Sequence, residues 1–296
     1  MIAYVFSGQG AQAPGMGKEL YENSKAAKAV FDMAEAIRPG TIEQCFNSTK
    51  EELSITVNTQ PCLFTVDLAA ARALDEAGYK ADMAAGFSLG EIAALAYAGV
   101  MSDDEAFKLV CKRAEYMQAA AQANPGGMMA VLGLPADKVV EICKEVEGTE
   151  PVNFNCPGQI VAAVPEEFME ELAAKVKENG GKGRKLAVSG AFHSSYMADA
   201  ALQLGEYMES CNFNTPAITL YSNKTGKPYT ENAKELVKYQ VCNAVQWQSI
   251  VEDMGNKGVD TFIECGAGKV LCGLIGKTLS GVKAVTYSDI LQEVTK

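Results

Sequence analysis

Three residues far apart in the chain have side chains that could do chemistry together. The stretch "GFSLG", residues 86–90, sets Ser88 in the G-x-S-x-G pattern of a nucleophile elbow, where a strand turns sharply into a helix and exposes the serine hydroxyl. On those five residues alone, a glycine-bounded turn with a solvent-exposed serine explains the pattern equally well. The flanks favour catalysis: "ADMAAGFS" reads as a strand, and "EIAALAYAG" as a strong helix stopped by Gly99. The N-terminus of that helix would point its dipole at Ser88 and at an oxyanion forming beside it. A serine hydroxyl is a weak nucleophile without an adjacent base, and the chain has one histidine, His193 in "GAFHSS". If Ser88 acts with an imidazole, that imidazole is His193; otherwise His193 is an ordinary half-buried ring. The third residue is Arg113. In "SDDEAFKLVCKRAEYMQAAAQA", Ser102 and Glu105 have capping-box spacing, which phases the helix so that Ala106, Val110, Met117 and Ala121 form an apolar stripe. Arg113 falls in that stripe while Lys108, Lys112 and Glu115 lie off it. A guanidinium aimed inward either bridges to a structural acid, snorkels to the rim or clamps a substrate carboxylate.

The elements that must position these residues follow from apolar runs and turn residues. "IAYVFSG" reads as a strand leading into a glycine loop and the helical "MGKELYENSKAAKAVFDMAEAI". Further strands are expected at "AITLYSN", "VDTFIECGAG" and "VKAVTYS", with stretches between them long enough for helical crossovers, so a parallel sheet covered by helices is predicted. Residues 126–188 change rhythm to strand, helix, two strands joined by a Pro-Gly turn, helix and strand, which is the ferredoxin-like βαββαβ order. The expected division is a large part, 1–125 with 189–296, and a small inserted part, 126–188. "QANPGG" and "SGAFHSS" are the expected hinges, which puts His193 at a junction where ligands commonly bind.

Composition narrows the classes. The 296 residues carry a formal charge of −11, with 48% hydrophobic and 21% charged residues, an ordinary globular balance. That acidity argues against nucleic acid or an anionic membrane as a non-specific partner. No apolar run reaches a membrane span and the start lacks the features of a signal peptide, so a cytoplasmic location is expected. Nine cysteines, none in a CxxC pair, beside one histidine suggest reduced core residues, with neither a disulfide framework nor a zinc site. "SGQGAQA" is a loose dinucleotide fingerprint without the later acidic strand end, and "GLIGKT" lacks the first glycine of a phosphate loop because Leu271 stands there. Facing Ser88, the first loop would instead offer a second oxyanion N–H, with Gln9 as the candidate donor.

Taken together, "FSGQGAQ", "GFSLGE", "KRAEYMQ", "NFNCPGQIV", "GAFHS" and "NAVQW" occur in order along nearly the whole chain. In these motifs the sequence resembles the malonyl-CoA:acyl carrier protein transacylases of bacterial fatty-acid synthesis and the similar acyltransferase domains of polyketide synthases. The resemblance implies an α/β hydrolase-like core with an inserted ferredoxin-like subdomain. It implies Ser88 as nucleophile, His193 as base, Arg113 as ligand of the malonyl carboxylate, and Gln9 and Leu89 as backbone donors of the oxyanion hole. Gln246 lies in the segment that, in the family, orients the histidine through a main-chain carbonyl in place of a triad acid. Phe192 gives the A-F-H form associated with malonyl over methylmalonyl, and a bulky ring near the acyl C2 would crowd an added methyl. Phe87 departs from the family's usual histidine before the serine. The implied partners are malonyl-CoA and holo acyl carrier protein, with no metal or redox cofactor and a monomeric chain; "KGRK", Lys182 to Lys185, near the subdomain junction, is either a carrier-protein contact or a solvated strand end. A serine hydrolase and a non-catalytic carrier-protein-binding homologue are the rival readings, and a chain of this length leans to fatty-acid over polyketide synthesis.

Overall fold

The computed structural model describes residues 1–230 and 232–294. Among these, one sheet is wholly parallel, with strands β1 (Ile2–Phe6), β2 (Met83–Gly86), β7 (Thr219–Leu220), β8 (Thr261–Cys265) and β9 (Lys283–Thr286) in the order β7-β2-β1-β8-β9. Ala3 to Phe6 of β1 are fully buried, as expected of a continuous apolar strand covered on both faces. Register aligns Phe6 with Gly86 on one side and with Cys265 on the other. The loops that follow β1, β2 and β8 therefore leave the sheet at one edge, the carboxyl end where open α/β sheets bind ligands.

Helix Gly90–Tyr97 leaves β2 at that edge. It ends as its sequence predicts: Gly99, at φ 73°, closes a Schellman motif in which its N–H donates to Ala96 and the Val100 N–H donates to Leu95. The glycines of the elbow are sterically required. A Cβ on Gly86 would overlap the backbone of Gly90, and one on Gly90 would overlap the Phe6 and Ser7 carbonyl oxygens. Gly86→Ala should cost at least about 4 kcal/mol, read as a collapse of soluble yield or of Tm; a variant that melts with the wild type would show that the turn is looser than described.

The second sheet is antiparallel and ferredoxin-like: β3 (Gly126–Leu132), β4 (Glu150–Cys156), β5 (Gln159–Pro165) and β6 (Lys182–Lys185), in the order β4-β5-β3-β6. Two-residue periodicity sorts its side chains. Met129, Val131, Ile160 and Ala162 pack with Ile142, Leu172 and Val176 of the helices Ala136–Glu145 and Met169–Glu178, whereas Met128, Ala130, Val161 and Ala163 join the core shared with the parallel sheet. The antiparallel sheet is also tied through backbone to the segment before helix Trp247–Asn256. Asn153 of β4 bridges to Val245, with the Phe154 N–H on the Val245 carbonyl at 2.9 Å and the Val245 N–H on the Val152 carbonyl at 2.8 Å. The "KGRK" strand β6 is exposed along its whole length, and Lys185 pairs with Glu166, so its charges guard a sheet edge.

Candidate active site

Ser88 sits between β2 and helix Gly90–Tyr97 at φ 56°, a left-handed conformation that a serine adopts only when its surroundings enforce it. They do so from both sides. Its N–H donates to Asn223 Oδ1 at 2.7 Å, and its carbonyl accepts Gln240 Nε2 at 2.6 Å. Asn223 in turn donates Nδ2 to the Gly86 carbonyl at 2.6 Å, so one side chain spans the elbow.

His193 lies 2.7 Å from Ser88, Nε2 to Oγ. Its own φ is 63°, and its backbone N–H donates to the Val241 carbonyl at 3.0 Å. The other ring nitrogen, Nδ1, is 2.9 Å from the Gln240 carbonyl oxygen. A carbonyl only accepts, so Nδ1 carries the proton and Nε2 is left to take one from Ser88. Burial, and then the positive charge of Arg113, lowers the imidazole pKa to about 4, which keeps this base neutral. The oriented carbonyl corrects the expectation for Gln246. Gln246 precedes helix Trp247–Asn256, its N–H donates to the Asn223 carbonyl at 2.8 Å, and it does not bond His193; Gln240, six residues earlier at the end of helix Ala233–Gln240, does.

Arg113 is where helix phase puts it, on the buried stripe of helix Asp103–Ala123, with 1% of its surface exposed. Ser102 caps that helix by accepting the Glu105 N–H, but the Glu105 carboxylate takes the Ser102 hydroxyl, so the reciprocal half of the capping box is not made. Arg113 Nη1 donates to Gln60 Oε1 at 2.7 Å; Nη2 donates to Gln240 Oε1 at 2.8 Å and to Ser88 Oγ at 3.1 Å. Among the described residues it has no carboxylate partner within ion-pair distance, and its Nε meets no acceptor. Burial lowers its pKa to about 10, against the opposing field of Glu91. A buried guanidinium held by neutral oxygens and touching the nucleophile has the chemistry to receive an anionic group.

The loop after β1 lies against the elbow: a Cβ on Gly8 would come within 2.7 Å of the Phe87 carbonyl oxygen. Gln9 in this loop and Leu89 at the helix start have backbone N–H groups with no acceptor among the described residues. Gln9 and Phe87 line a cavity of about 200 Å³ between the two sheets, together with Asn153 and Asn155. The Oδ1 atoms of both asparagines are buried and lack a partner among the described residues. Phe87 packs edge-on against Trp247, ring centroids 5.5 Å apart, so the residue in place of the family's histidine is absorbed by apolar packing. The Phe192 ring is also buried, lying in the shared core next to Gly190.

A family model described as acyl transferase domain matches residues 3–294. The chain belongs to the acyl transferase domain family. Among relatives of this acyltransferase, the malonyl CoA-acyl carrier protein transacylase of Bacillus subtilis is 40% identical, over 97% of this chain and 93% of its own. The crystal structure of malonyl CoA-acyl carrier protein transacylase from Clostridium perfringens superposes with a TM-score of 0.94 at 35% identity, covering 99% of this chain and 97% of its own. A type II PKS acyl-carrier protein complex with its malonyl-transacylase superposes at TM-score 0.92 and 32% identity, covering 96% and 95%. No helix among the described residues of the acyltransferase is long and apolar enough to cross a membrane.

Residues that the sequence did not single out complete the site. Gln60 and Gln240 are polar residues on otherwise buried helix faces, and that mismatch is the signal each left in the sequence. Asn223 and Glu91 are buried polar residues as well, Glu91 one turn beyond Ser88.

Proposed function

We propose that this acyltransferase moves a malonyl group from malonyl-CoA to the phosphopantetheine thiol of holo acyl carrier protein, through an ester on Ser88 and in ping-pong order. The observation that carries this reading is Arg113, buried, without a carboxylate partner among the described residues, and 3.1 Å from the nucleophile's oxygen. In the first half-reaction Ser88 gives its proton to His193 Nε2 as Oγ attacks the thioester carbon. The Gln9 and Leu89 N–H groups receive the oxyanion, the C–S bond breaks, and the imidazolium returns the proton to the leaving CoA thiolate. The pantetheine thiol then reverses these steps on the malonyl ester.

The Gln240 carbonyl holds the tautomer in both directions, which a triad acid would otherwise do. Asn153 and Asn155 offer unpartnered amide oxygens to the two amides of a pantetheine arm in the cavity. Phe192 limits bulk beside the acyl C2. The division into 1–125 with 189–296 and an inserted 126–188 fits this reading, because the acylating groups come from the larger part and both asparagines from the insert. All these groups lie in one chain, which supports action as a monomer; the net acidity supports the absence of nucleic acid and membrane partners. With the resemblance in sequence, we place the enzyme in the cytoplasm, supplying fatty-acid synthesis.

The test is intact-protein mass after brief mixing with malonyl-CoA, peptide mapping of the adduct, and then addition of holo carrier protein. A malonyl adduct on Ser88 that discharges to the carrier is the expected outcome. Discharge to water at the same rate without carrier would make the protein a hydrolase, and no adduct with no turnover would leave a non-catalytic carrier-binding role. Arg113→Ala should lower kcat/KM for malonyl-CoA by about 10²–10³-fold, the scale for removing one side of a buried charged contact, while acetyl transfer changes far less. A malonyl-to-acetyl ratio equal to that of the wild type would remove Arg113 from selectivity.

A further inference from the structure

The Ser88 backbone and the side chains of His193 and Arg113 meet at one residue that does no chemistry in the proposed mechanism. Gln240 accepts His193 Nδ1 on its main-chain carbonyl and Arg113 Nη2 on Oε1, and it donates Nε2 to the Ser88 carbonyl. Its second Nε2 hydrogen goes to Glu91 Oε2 at 2.8 Å. A carboxamide has distinct ends. Turned over, this one would present N–H groups to the guanidinium and its oxygen to both the Ser88 carbonyl and the Glu91 carboxylate, so every contact would become repulsive. During transfer Arg113 and Ser88 both acquire new partners, the acyl carboxylate for one and an acyl carbon for the other. Glu91 is the member of the cluster whose partners need not change.

Glu91 is itself fixed. It is 1% exposed, on helix Gly90–Tyr97, and its Oε1 accepts the Tyr229 hydroxyl and, at 3.1 Å, the Asn223 N–H. Both of its oxygens therefore face donors, a task for a carboxylate. A glutamine at this position keeps its one oxygen on the side with two donors, the Tyr229 hydroxyl and the Asn223 N–H, and so turns its N–H groups toward Gln240 Nε2, which grips Ser88.

We propose that Glu91 is a positioning residue for the acyl transfer, acting through Gln240 to hold Arg113, His193 and the Ser88 turn in one arrangement. This rests on the malonyl-serine reading above. It predicts that Glu91→Gln remains folded by circular dichroism yet acylates Ser88 about 100-fold more slowly at saturating malonyl-CoA, the scale expected for a displacement of about 1 Å at a reacting centre. The malonyl-CoA concentration for half-maximal rate should change little. Because the effect runs through Gln240, the double variant Glu91→Gln with Gln240→Ala should be no slower than Gln240→Ala alone.

Rapid-quench intact mass measures all four proteins. A wild type that forms no adduct would refute the malonyl-serine reading itself. A wild type that loads, beside a Glu91→Gln that loads equally fast, or a double variant slower than Gln240→Ala by the full single-variant factor, would overturn the role of Glu91 alone. If Glu91→Gln fails to fold, Glu91→Asp keeps two acceptor oxygens but withdraws them by one methylene. The proposal then requires slower acylation with little change in half-saturation, and wild-type kinetics in Glu91→Asp would overturn it.

Discussion

Ser88→Ala will fold, bind malonyl-CoA and take up no malonyl group. Its transfer rate should fall by about 10⁶-fold, as when a hydrolytic serine is removed from its base, and its intact mass should not change on mixing with substrate. Arg113 and His193 lose only their bonds to Oγ, while the elbow keeps its hold through the Ser88 N–H and carbonyl, so Tm should stay close to that of the wild type. Ser88→Gly separates the two aspects further. It is equally inactive, but glycine accepts φ 56° freely, and relief of a strain of about 1–3 kcal/mol should raise Tm. Residual transfer above about one part in 10⁴ in Ser88→Ala would assign the nucleophile elsewhere.

His193→Ala should slow Ser88 acylation by about 10⁴-fold, the upper range for a general base, with KM less affected. The wild-type imidazole can be followed directly, because the chain has one histidine and a histidine-labelled sample gives one titrating NMR signal. Its pKa should be found at about 4. In the unfolded chain the ring protonates at its ordinary 6.5, while the folded ring stays neutral, so the contribution of His193 is complete above 6.5 and is lost as pH falls toward 4. His193→Ala should lack this component of acid sensitivity. A signal titrating near 6.5 would contradict the buried, carbonyl-oriented ring.

What was legible in the sequence was whatever depends on side-chain type and periodicity. The elbow could be read because its glycines are sterically obligatory, and His193 because the choice of imidazole was a count of one. Arg113 could be read because a capped helix has a fixed phase. Both sheets could be read because buried strands are short apolar runs ending in turn residues. What could not be read was a contact made by backbone. The oxygen that meets His193 belongs to the main chain, so the identity of residue 240 leaves no trace of it, and Gln246, in the motif that points to this segment, lies six residues beyond it. Gln60, Asn223 and Glu91 escaped for a related reason. Each is one polar residue among buried ones, and only the folded chain shows that their amides and carboxylate meet around a single serine.

The backbone bridge between β4 and Val245 has a consequence for recombining members of this family. Residues 126–188 look like a cassette that could be exchanged through its two covalent joints. The pairing of Val152 and Phe154 with Val245, however, makes a third, non-covalent joint, and the strip from 240 to 245 also carries the carbonyls that set His193. A transplanted cassette that seats β4 even slightly differently would pull on that strip and detune the imidazole from a distance. Grafts should therefore carry the donor's own 240–245 strip along with the cassette, and the cleft is best regarded as one unit written in two separate stretches of sequence.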